Sequence, residues 1–144
     1  DAFANNDALA FEFTANAGTG GTGFYIDPNS GWPLSGRFAA SIIAGSPLLT
    51  RGEGFTRPSA AAWHHYAVTF DRITPAVGMY IHSVAQTSAA SNAPGWTASD
   101  FANDSLFFMC RNLSYARGAG RMAGVSLHPS ILSAARIAAH FAGA

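Results

Sequence analysis

The 144 residues fit one domain, long enough to bury a sizeable core and too short for two comfortable ones. Charged residues make up 11% of the chain, less than half of the ~25% expected of an average soluble domain. The eight basic residues, all arginine, are cancelled by eight acids, which excludes a basic footprint for nucleic acid and a polybasic membrane patch. Eleven Phe, three Trp and four Tyr also exclude a disordered chain, because so much apolar surface can offset the entropy of ordering.

Strand-like runs recur at short spacing between Gly, Pro, Asn and Ser clusters. Ala8 to Thr14 reads as a strand with Leu9, Phe11 and Phe13 on one face and Ala8, Ala10, Glu12 and Thr14 on the other. The glycine run from Ala17 to Gly23 is a turn, since a phosphate-cradling loop would need a following helix and Lys-Ser/Thr. Phe24-Tyr25-Ile26 is a short strand, Asp27 to Pro33 a turn cluster, and Gly36 to Ala44 a further strand. Arg51-Gly52-Glu53-Gly54 reads as another turn. Trp63 to Phe70, aromatic and β-branched, is the strongest strand pattern, and it pairs with Val77 to Gln86 as a hairpin with a loop of about six residues. Thr87 to Asp104 reads as a long loop carrying Trp96, and Leu106 to Cys110 and Arg121 to Leu127 as two more strands. One helix is predicted: Ser133 caps a run ending at Phe141, with Ile137 and Phe141 one turn apart.

Many short strands with one terminal helix predict an all-β fold, a two-sheet antiparallel sandwich spanning residues 1–144 as a single domain. The lone Cys110 cannot form an internal disulfide and reads as a small buried hydrophobe. No stretch approaches the ~20 apolar residues of a membrane span. A start at Asp1, without Met or a visible leader, leads us to expect a native N-terminus further upstream.

Three stretches resemble the laminin G-like, concanavalin A-like jelly-roll domains of bacterial and phage surface proteins: the Trp63-His64-His65 strand ending in Phe70-Asp71, the Val77 to Val84 strand with its aromatic before a turn, and the Ala119 to Leu127 and Ile131 to Ile137 closing strand and Leu-Ser-Ala helix. The resemblance implies a jelly-roll β-sandwich with one short C-terminal helix, displayed extracellularly or on a virion surface. It departs where the family has Asp-Gly and this chain has His82-Ser83, and where acids give way to Ala123 and Arg136. Arg136 cannot close a capping box, and its charge opposes the helix dipole.

Glycoside hydrolysis, known in this superfamily, needs two carboxylates flanking the scissile bond. Glu12 and Glu53 are the only glutamates, far apart in sequence, and no Asp alternates with a second acid, so no catalytic residue is assigned and the chain is not read as an enzyme. His64 and His65 would point to opposite faces of a strand and read as structural; His82, His128 and His140 are scattered and lack metal spacing. Asp27-Pro28-Asn29-Ser30-Gly31 opens like an EF-hand loop, but Phe38 stands where that loop needs glutamate, so it reads as an Asx turn. Calcium at Asp27 or Asn29 is the only cofactor considered.

Trp63 reads as core. Trp32 and Trp96 lie in turn-rich segments, where an exposed ring can stack on the apolar face of a sugar while nearby polar groups bond its hydroxyls. Trp96 with Asp100, Asn103 and Asp104 has that composition, and Arg111, Asn112 and Tyr115 form a second polar-aromatic loop. The expected function is a non-catalytic lectin-like adhesion module binding a glycan or surface polymer. The alternative is a structural or decoration domain of a phage capsid or tail, contacting other copies or other proteins of a larger assembly. Neither reading involves nucleic acid or membrane insertion.

Overall fold

The computed structural model describes residues 9–13, 23–30, 34, 36–44, 49–59, 62–71, 73–74, 76–92, 105–110 and 120–143. Nine strands and one helix lie among them: β1 Phe11–Phe13, β2 Gly23–Asp27, β3 Phe38–Ala44, β4 Leu49–Phe55, β5 Tyr66–Asp71, β6 Ala76–Ile81, β7 Val84–Ala85, β8 Ala90–Asn92, β9 Leu106–Phe108 and α1 Ala134–Ala142. They form two antiparallel sheets, one ordered β8-β4-β3-β2-β1-β9 and one β5-β6-β7, with the helix at the C-terminal end. The expected two-sheet sandwich is the observed architecture.

Alternation explains the layers. In the large sheet Phe11 pairs with Ile26, Ile26 with Ala40, and Phe38 with Phe55, so these side chains share the inward face. In the small sheet Tyr66 pairs with Ile81, Val68 with Met79 and Phe70 with Val77. The core forms where these faces meet: Phe38, Ala40, Phe55 and Met79 are buried together, with Ile26, Val68, Phe70, Val77 and Ile81 packed around them. Aromatic stacking joins the layers, Phe24 on Phe70 with centroids 4.4 Å apart and Phe38 on Tyr66 at 4.8 Å. Burial pushes the Tyr66 phenol up to about 12.

Several expectations need correction. Val77 to Gln86 is not one strand, because His82 and Ser83, at positive φ, turn the chain between β6 and β7. Residues 51–54 are not a turn but the middle of β4, paired with β3 and β8. Its glycines answer to crowding on the outward face: a Cβ on Gly52 would lie 2.7 Å from Ser41 Oγ and 2.9 Å from Leu34 Cδ1, and one on Gly54 3.2 Å from Arg37 Cβ. Part of the expected loop after Thr87 is β8, whose Ser91 stands opposite Glu53. Leu106 to Cys110 is a strand only to Phe108, because Met109 takes φ 57°; Cys110 is partly buried.

Residues 121–127 form no strand. Gly124 at φ 61° breaks the extended run, and residues 120–132 instead cross the surface as an irregular strap with Met122, Val125, Leu127 and Ile131 exposed. The helix is as expected. Ser133 Oγ accepts from the Arg136 amide at 3.3 Å, and Ile137 is the buried residue of α1.

Candidate functional site

A cleft of about 760 Å³ lies between the strap and the start of β5. Its floor is apolar, with Phe11, Phe24, Ile26, Phe38 and Met109, and its walls come from residues 57–59, 62–71, 121–132 and the inner turn of α1. Trp63 belongs to this wall and not to the core, with 65% of its surface exposed. The cause is the late start of the β5 ladder at Tyr66, which leaves residues 62–65 outside the sheet. Arg57, Arg121, Ser126 and four histidines supply polar groups to the same lining.

The acid among the lining residues is Asp71, and it is held by its own turn: Oδ1 accepts from the amides of Ile73 at 2.9 Å and Thr74 at 3.2 Å, and Oδ2 from the Thr74 hydroxyl. The two glutamates lie elsewhere. Glu12 is fully buried in β1, and Glu53 is buried in β4, where its oxygens accept from Ser88 Oγ at 2.6 Å and Ser91 Oγ at 2.9 Å. Paired charge-assisted hydrogen bonds of this kind tie β8 and the segment before it to the sheet.

The Asp27 turn has the expected Asx geometry, with Asn29 N donating to Asp27 Oδ1 at 3.0 Å. Both residues are buried. Among the described residues no group of three or more His, Cys, Asp or Glu side chains has metal-ligand geometry. Trp32, Trp96, Asp100, Asn103, Asp104, Arg111, Asn112 and Tyr115 lie outside the described residues.

At the inner end of the cleft the histidines converge. His64 Nδ1 lies 2.9 Å from His82 Nε2, and His64 Nε2 lies 2.8 Å from the Ser59 carbonyl. Because a carbonyl only accepts, His64 Nε2 carries hydrogen, and neutral His64 then accepts from His82 through Nδ1. His65 and His82 both pack on the Phe141 ring, with centroids 5.5 and 5.4 Å away, and His128 meets His140 edge-on at 5.3 Å. The reading of His82, His128 and His140 as scattered is thus true of the sequence alone.

The signal that could have brought His65 to His82 is hairpin register. Tyr66 opposite Ile81 places His65 opposite His82, and the His82 amide donates to the His65 carbonyl at 3.0 Å. His128 and His140 carried no such signal, since the strap has no ladder to fix it. No family model matches the chain, and no curated protein or solved structure matches it.

Proposed function

We propose that the chain is a non-catalytic lectin-like module of the laminin G-like kind, binding a glycan or surface polymer in the cleft beside Trp63, on a cell or virion surface. The supporting observation is the exposed indole lining a largely apolar cleft, with Arg57, Arg121 and Ser126 also in the lining. An apolar wall with a few polar groups is what orients a small ligand, and a rigid tryptophan contributes contact area at low entropic cost. Asp71, the acid among the described lining residues, is engaged by its own turn, so those residues do not offer the two facing carboxylates of a glycosidase. Calcium is not required by this reading.

A glycan array followed by calorimetry, with and without calcium, tests it. Trp63→Ala should weaken binding at least about thirtyfold, the loss of a ~2 kcal/mol aromatic anchor. Unchanged affinity in that variant, or no binding across neutral and acidic glycans, refutes it. A second reading, a structural or decoration module acting through protein contacts, is favoured by the exposed apolar strap side chains Met122, Val125, Leu127 and Ile131. Light scattering that shows only monomer, with no incorporation into any particle, would sink that one.

A further inference from the structure

The chain has five histidines, and all five meet where α1 docks on the sandwich. We infer that this junction is an acid switch, in which proton uptake by the clustered imidazoles releases α1 from the end of the β5–β6 hairpin.

The argument starts with His65. Its Nδ1 is enclosed and, among the described residues, has no hydrogen-bond partner. In the neutral ring that costs one unused lone pair; in the imidazolium it becomes an enclosed N–H with no acceptor, a far larger penalty. Burial lowers the His65 pKa first, and the nearby His82 and His140 lower it further.

The His64–His82 pair adds a second constraint. One extra proton fits, because either ring can then donate to the other. Two would set N–H against N–H across 2.9 Å. His140, on α1, and His128, on the strap, bring two more imidazole rings to the same corner.

Among the described residues, Asp71 is the acid that lines this cleft. Around the junction, the segment before β5 contributes His64, His65 and Tyr66 from the β5 start; the β6–β7 turn contributes His82; α1 contributes His140 and Arg136; and the strap contributes His128 and Arg121. Arg57 lines the same cleft. The acid lining it, Asp71, is already bonded to Ile73 and Thr74. Undocking α1 removes Phe141 from His65 and His82 and takes His140 away, so a proton on His65, or a second proton on the His64–His82 pair, favours the released form.

The sign follows from linkage. A depressed folded-state value means that docking is fully supported above the ordinary histidine pKa of ~6.5, and that the support is lost as pH falls below it. Each proton taken up on release shifts the docking equilibrium by up to about tenfold per pH unit.

Amide hydrogen exchange of the full chain at pH 7.5 and 5.0, corrected for intrinsic rates, reads this directly. The α1 amides should open at least about tenfold more at pH 5.0, while β3 and β4 amides keep their protection. His65→Phe, which places an apolar ring against Phe141, should remove most of that step, and His140→Gln should reduce it. Equal α1 opening at both pH values overturns the inference. So does an undiminished step in both variants, or loss of β3 and β4 protection at the same pH as α1.

Discussion

The helix offers the sharpest test of how the fold is held. Ile137 is 1% exposed and is the buried side chain among the nine residues of α1. A nine-residue helix is marginal alone in water, and the Ser133 cap adds about 1 kcal/mol at most. Docking of Ile137, worth about 1.5–3 kcal/mol of buried apolar surface, is therefore what keeps α1 folded. In a rigid core, Ile137→Ala would cost about 2–5 kcal/mol. Here the loss is capped, because once it exceeds the docking free energy the helix leaves and the sandwich stands without it. Ile137→Ala should abolish α1 amide protection and lower helical ellipticity while β3 and β4 amides exchange as in the parent. Persistent α1 protection, or collapse of β3 and β4 together with α1, would refute the reasoning.

Three further outcomes follow from local geometry. His82 and Ser83 form a two-residue hairpin loop with φ 49° and 65° between the paired Ile81 and Val84, a type I′ turn that suits glycine at its second position. Ser83→Gly, which keeps the His82 ring contacts, should stabilise by about 0.5–1 kcal/mol in chemical denaturation, and any loss would contradict the turn assignment. Gly52→Ala should cost about 1–3 kcal/mol, since β4 is held on both sides and cannot retreat from Ser41 and Leu34; an unchanged midpoint would show the outward face to be less crowded. With the Tyr66 phenol pushed up to about 12 and ordinarily near 10, the folded form favours the neutral ring. Its contribution is intact below pH 10 and is lost between about 10 and 12, so Tyr66→Phe should flatten the alkaline limb of stability against pH.

Much of the fold was legible because its strands carry their own pattern. Phe11 and Phe13, Phe24 and Ile26, and Val68 and Phe70 alternate as half-buried strands must, and each lies in a strand. β4 was not legible for the opposite reason. Its outward positions are Gly52 and Gly54, which a local reading takes as turn signals, and only the distant Leu34 and Arg37 explain them. β8 is three small or polar residues, and its place is marked by a partner 38 residues away, the Ser91 hydroxyl on Glu53. At 121–127 the alternation was present but Gly124, in the left-handed region, made it irrelevant. Local pattern fails where the reason for a residue lies across the sheet.

The site obeys the same logic with larger consequences. Trp63 has the neighbours of a core strand residue in sequence, yet the ladder starts three residues later, and that offset alone moves a large ring from the interior to the wall of a cleft. The offset also frees His64 and His65 from strict alternation, so one reaches the His82 ring and the other the Phe141 ring. Had the ladder begun at Trp63, the two imidazoles would face opposite sides of the sheet and could not share a junction. The late start of β5 therefore underlies both the exposed indole and the meeting of His64 and His65 with His82 and Phe141, so the proposed binding surface and the proposed acid response would share one structural cause.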